Sequence, residues 1–202
     1  MKSGQVVAVI GGIGCGKSAA CDYFSQQGYP VIDTDKVAKQ LMQKNQPGYN
    51  ALVTETGDRF LDPNGDLDRK QLAAAFFAEP DLKNTLEGFI HPLVRQHVAK
   101  QVTELKNKHP LVFVAIPVIH QVMQPAYQID QVLLIECEPE QQTQRVQLRD
   151  QRSPEQIATI IAQQADRATR QALADTIIEN NQELADLHSA LQAWLDKQPD
   201  PH

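Results

Sequence analysis

One stretch, Gly11-Gly12-Ile13-Gly14-Cys15-Gly16-Lys17-Ser18, constrains this chain more than any other. It fits G-x-x-x-x-G-K-[ST], follows the apolar run Gln5–Ile10 and precedes the helical stretch Lys17–Gln27. Strand, small-residue loop and helix in that order make a phosphate cradle. Successive backbone N–H groups curl around the anion, and the helix turns its positive end to the same point. Lys17 adds a mobile charge near the β- and γ-phosphates, and the Ser18 hydroxyl is placed to ligate Mg²⁺. The expected nucleotide contacts are Gly12, Ile13, Gly14, Cys15, Gly16, Lys17, Ser18 and Ala19. A glycine-rich turn with an incidental lysine is the plain alternative, and the flanking elements weigh against it.

The rest of the chain alternates strands and helices. Further strands are expected at Pro30–Ile32, Leu111–Ile116, Gln131–Glu136 and Ala174–Ile178. Helices are expected at Lys36–Lys44, near Tyr49–Thr56, from Asp68 as N-cap to about Ala78, and at Asp81–Lys106. The last of these must bend or break near His91-Pro92. Pro139–Asp150, Pro154–Gln171 and Gln182–Lys197 complete the helices. The strands are apolar throughout, so both sheet faces are covered. That predicts an α/β fold of three layers around a parallel sheet.

The 202 residues, 42% of them hydrophobic, suit a single domain over 1–202. Its core is expected at about 1–60, 108–140 and 172–202, with a helical region at about 60–108 and a second excursion at about 145–172. A net charge of −6 and 5% aromatics argue against a nucleic-acid partner. Val6–Ile10 is too short and too glycine-interrupted for a secretion signal, and no run approaches a membrane span, so a cytoplasmic location is expected. Cys15, Cys21 and Cys137 have no framework spacing and fit a reducing compartment. No residue set has zinc spacing. Cys15, beside a helix N-terminus and Lys17, is expected to have a lowered pKa.

The acidic residues decide among phosphate-binding classes. A regulatory GTPase wants N-K-x-D, and Asn107-Lys108-His109-Pro110 lacks the Asp. Motor ATPases end a central strand with a carboxylate, and Ile116 leads into Pro117 instead. Here Asp33 and Asp35 follow the second strand, at the sheet edge where α/β proteins bind ligands. If the strand persisted to Asp35, the two side chains would share a face, one accepting a hydroxyl proton and the other helping to hold the metal. The alternative for Asp33 is a helix N-cap.

Several segments together resemble the dephospho-coenzyme A kinase family over about residues 5–181. They are the cradle, Val31-Ile32-Asp33-x-Asp35, Leu67-Asp68-Arg69, His91-Pro92, Arg145-Val146-x-x-Arg149-Asp150, Gln164 with Arg167 and Arg170, and Ala174-Asp175-x-Ile177-Ile178-x-Asn180. The resemblance implies transfer of the ATP γ-phosphate to the ribose 3′-hydroxyl of dephospho-coenzyme A, with Mg²⁺, in a P-loop kinase fold with a helical acceptor region and a lid. It implies Asp33 as base and Lys17 as phosphate-binding catalytic residue, with Arg149 and Asn180 beside ATP. Asp33, Asp35, His91, Pro117, Arg167 and Arg170 would face the acceptor. A monomer or weak homo-oligomer is expected.

Alternatives stay open from sequence. The arginines can instead pair with Asp150, Glu155 and Asp166 on solvated faces, and His91 can be a buried, hydrogen-bonded histidine at a helix break. The segment Pro117-Val118-Ile119-His120-Gln121 lacks the acidic residue usual in the family, which bears on acceptor contacts. Another small-metabolite or nucleoside kinase, or a nucleotide-binding sensor without catalysis, also fits the cradle.

Overall fold

The computed structural model describes residues 4–117 and 127–198. Among them, five strands form one sheet: β1 (Gln5–Gly11), β2 (Val31–Asp33), β3 (Leu111–Ala115), β4 (Gln131–Glu136) and β5 (Thr176–Glu179). Their order is β2-β3-β1-β4-β5, and every neighbouring pair is parallel. The expected α/β architecture is what forms. The helices are α1 (Lys17–Gln26), α2 (Thr34–Leu41), α3 (Pro47–Thr56), α4 (Arg69–Ala78), α5 (Pro80–Leu105), α6 (Pro139–Asp150), α7 (Pro154–Ala162), α8 (Arg167–Leu173) and α9 (Leu184–Leu195).

The chain divides into two compact units, Met1–Asp33 with Gln101–His202, and Thr34–Lys100. The first holds the sheet. Alternate strand residues Val7, Val9, Leu111, Phe113, Leu133 and Ile135 meet Phe24 of α1 and Leu187, Leu191 and Trp194 of α9 in one core. Phe24 stacks on Phe113 with ring centroids 3.9 Å apart, and Trp194 flanks both. The intervening residues Val6, Ala8, Ile10, Val112 and Val114 are buried as well, which is why no alternation shows in the sequence. Two aspartates set strand starts. Asp130 bonds Val6 through its main-chain N–H and its carboxylate, and Asp175 does the same for Val132. Asp175, one of the residues that carry the family resemblance, thus positions a strand.

The second unit is helical around a smaller core of Leu52, Phe60, Ala75 and Leu86. Leu61–Asp66 forms a turn, with the Asp62 carboxylate accepting from Asn64 and Asp66 amides. Asp68 caps α4 by accepting from the Lys70 and Gln71 amides.

The structure resolves three expectations. Where a bend or break was expected near His91-Pro92, the helix does not break: it is continuous from Pro80 to Leu105, with Pro92 inside it. Only one ladder bond is lost there, the one that the Pro92 nitrogen cannot donate. His91 is exposed rather than buried. Second, Pro154–Gln171 is two helices, because Asp166 caps α8 by accepting from the Thr169 amide. Third, the strand ends at Asp33 and α2 begins at Thr34, so Asp35 lies on a helix and shares no strand face with Asp33.

Candidate active site

β1 delivers the chain at the carboxyl edge of the sheet into a loop that only glycine can trace. Gly14 and Gly16 have φ of 78° and 102°, in the left-handed region. A Cβ on Gly16 would also collide with Asn180 Nδ2. The loop is braced from several sides. The Cys15 amide donates to the Gly12 carbonyl at 3.1 Å, and Asn180 Nδ2 donates to the Cys15 carbonyl at 2.9 Å. The Ile13 amide donates to Gln164 Oε1 at 2.9 Å, which ties the α7–α8 connection to the loop. Lys17, Ser18 and Ala19 then form the first turn of α1, whose amides have no partner inside the helix. Lys17 is half-buried and Ser18 is exposed.

A buried charged cluster supports this loop. Arg170 of α8 grips Glu136, the last residue of β4, with Nε–Oε2 at 3.0 Å and Nη2–Oε2 at 2.8 Å, and donates to the Ala165 carbonyl. Glu136 is 0% exposed and Arg170 5%. The guanidinium carbon lies 3.4 Å from where a Gly12 Cβ would stand. Cys15 Sγ donates to Glu136 Oε1 at 3.3 Å and lies 2.8 Å from Cys137 Sγ. The Cys15 pKa is raised, against expectation. Its hydrogen bond with Cys137, its burial and the nearby Glu136 carboxylate outweigh the helix end and Lys17. Cys137 is lowered, first by its hydrogen bond with Cys15 and then by Arg145 and Arg170, against burial and the Glu136 carboxylate.

The other arginines face solvent or main chain. Arg149 forks onto Asp150 at 2.7 and 2.8 Å and is exposed. Arg167 bridges Glu138 and Glu179 at 3.2 and 3.3 Å. Arg145 donates to the Asn180 and Gln182 carbonyls. Of the pairings open from sequence, Arg149–Asp150 forms at 2.7 Å and Arg152–Asp150 at 3.9 Å; Glu155 and Asp166 serve helix starts. Glu136 escaped sequence reading, although a carboxylate ending an apolar strand was the available signal. Gln142 escaped it too. It is buried, and its Nε2, which has no hydrogen-bond partner among the described residues, lies 2.7 Å from a Gly12 Cβ position. Its place in a polar helix gave no hint.

Asp33 is half-buried at the carboxyl end of β2. It is in register with Ala115, which in turn is level with Val9, two residues before the cradle. Two strand spacings put the Asp33 and Val9 backbones about 10 Å apart along the same sheet edge. Pro117 follows β3 at that edge. Within the segment of altered family pattern, positions 118–121 lie outside the described residues. Asp35 and His91 belong to the helical unit and are both exposed.

Residues 5–186 match the dephospho-CoA kinase family. This chain belongs to that family. A dephospho-CoA kinase of Hydrogenovibrio crunogenus is 37% identical over 95% of this chain and 96% of its own. Among solved structures, a Thermus thermophilus protein superposes with a TM-score of 0.78 at 28% identity, covering 98% of this chain and 100% of its own. A dephospho-CoA kinase from Campylobacter jejuni follows at TM-score 0.68 and 25% identity, covering 96% of each chain. No described helix of this dephospho-CoA kinase family member is long and apolar enough to cross a membrane.

Proposed function

We propose that Asp33, Lys17 and Ser18 carry the chemistry of this family member. The chain is a dephospho-CoA kinase, transferring the γ-phosphoryl group of ATP to the ribose 3′-hydroxyl of dephospho-coenzyme A. The observation that carries the assignment of roles is the shared sheet edge. The cradle leaves β1 at the carboxyl edge, and Asp33 ends β2 at that same edge across β3.

In this reading the loop amides and the first turn of α1 hold the ATP phosphates, with Lys17 neutralising charge as it builds on the transferring group. The positive-φ glycines support the fit, since they let the loop curl so that successive amides can face one anion. Mg²⁺ would be held by the Ser18 hydroxyl and the phosphates, and when bound it draws charge off the β- and γ-oxygens. Asp33 accepts the proton of the 3′-hydroxyl as that oxygen attacks in line. Arg149 and Asn180 flank ATP. Asn180 would do so from beneath the loop it already braces, and Arg149 by exchanging Asp150 for the nucleotide.

Asp35, His91, Pro117, Arg167 and Arg170 are assigned to the acceptor side. Arg167 has exposed partners to exchange, whereas Arg170 acts from its seat on Glu136 beside Gly12. The region at about 145–172 serves as the lid and that at about 60–108 as the acceptor region, in one kinase domain working in the cytoplasm as a monomer or weak homo-oligomer. Incubation with Mg·ATP and dephospho-coenzyme A, with products identified by mass, tests the activity. Coenzyme A and ADP in equal amounts are expected. ADP without coenzyme A, or a preferred nucleoside acceptor, would overturn the reading.

A further inference from the structure

The cradle contains a second piece of chemistry that phosphoryl transfer does not use. Cys15 sits in the middle of the phosphate loop, between the two left-handed glycines, and Cys137 is the first residue after β4. They are 122 residues apart in sequence, yet their sulfurs are 2.8 Å apart and buried together. Two sulfurs at that distance need to close by less than 1 Å to reach bonding length. We propose that Cys15 and Cys137 are a redox-modification site, forming a reversible disulfide that fastens the phosphate loop to the end of β4.

The surroundings supply what such a reaction needs. The close contact with Cys15, together with Arg145 and Arg170 nearby, favours the thiolate at Cys137, which makes it the attacking sulfur. With hydrogen peroxide as the two-electron oxidant, that thiolate attacks one peroxide oxygen. The O–O bond breaks, hydroxide leaves, and Cys137 becomes a sulfenic acid. The Cys15 sulfur then attacks the sulfenic sulfur. The S–S bond forms, the S–O bond breaks, and the hydroxyl departs with the Cys15 proton as water. Two thiols have lost two electrons and two protons, and peroxide has become two waters. Burial keeps the pair from mixed disulfides with larger thiols but admits a small oxidant during local opening of the loop. A dithiol reductant reverses the bond.

Closing so long a loop should stabilise the folded chain, so the oxidised protein is expected to unfold about 5–10 °C higher than the reduced one. The test treats the nucleotide-free protein with hydrogen peroxide, alkylates what remains, and maps linked peptides by mass. It then records unfolding temperature with and without dithiothreitol. Expected are a linkage between the peptides carrying Cys15 and Cys137, alkylation of Cys21 only, and a melting rise that dithiothreitol abolishes. Cys21→Ser should keep linkage and rise, whereas Cys137→Ser should lose both. Linkage through Cys21, linkage between chains, or no linkage would overturn the proposal. Linkage without a melting rise would overturn the fastening. None of these readouts depends on kinase turnover, so the proposal stands or falls apart from the residue roles assigned above.

Discussion

The phosphate cradle and the arginine-bearing helices belong to the same compact unit, yet they are built by opposite means. The cradle is main chain. Its shape follows from two left-handed glycines, a strand end and a helix start, all within a dozen residues. The arginine region is side chain, and apart from Arg149, which forks onto the adjacent Asp150, its guanidiniums are placed by partners distant in sequence. Arg170 is held by Glu136, Arg167 by Glu138 and Glu179, and Arg145 by carbonyls of 180 and 182. The lesson is that phosphate recognition through amides rests on main-chain shape, while the arginines owe their positions to pairings that can be broken singly.

That difference can be attacked from both sides. Glu136→Gln strips the charge that Arg170 was buried against and should cost about 3–5 kcal/mol in stability, read by urea unfolding. A loss under about 1 kcal/mol would mean that Arg170 relaxes to solvent and that the buried cluster is not a strut. Lys17→Ala leaves the main-chain cradle intact, so unfolding should barely move while turnover falls about 10²–10³-fold. A collapse in stability would show that the loop depends on that side chain after all. Arg149→Ala removes an exposed pair, and its melting temperature should stay within about 1 °C of the parent. Its turnover should nevertheless fall about tenfold or more if the residue leaves Asp150 for ATP.

The smallest effect concerns Asp166 at the start of α8. Hydrogen bonds from Thr169 hold its carboxyl below the usual range. A depressed carboxylate stabilises the fold above its unfolded value and loses that contribution as pH falls through the folded one. The parent should therefore lose slightly more melting temperature than Asp166→Asn between about pH 4 and pH 3. Parallel melting curves would mean that the cap contributes nothing.

Legibility followed the same division. The cradle, the five strands and the parallel sheet could be read directly, because each rests on local pattern: β-branched apolar runs, a glycine-rich loop, turn residues and the Asp68 cap. The position of Asp33 was legible because it stands at a strand end. Helix interruptions were not. Pro92 argued for a bend or break, yet the 26-residue helix runs through it unbroken, and the stop between α7 and α8 depends on an Asp166 cap and on Gln164 reaching the loop 151 residues away. The raised Cys15 pKa was out of reach for the same reason. Cys137 and Glu136 are its neighbours only once β1 and β4 have paired.

The central claim is that Asp33 is the base at the shared sheet edge, acting on a hydroxyl brought to the phosphate that the cradle holds. The most direct test compares Asp33→Asn with the parent in two assays, coenzyme A formation from Mg·ATP and dephospho-coenzyme A, and ATP affinity by calorimetry. The account predicts a fall in turnover of about 10²–10⁴-fold with ATP affinity nearly unchanged. A folded Asp33→Asn protein turning over near the parent rate would contradict it.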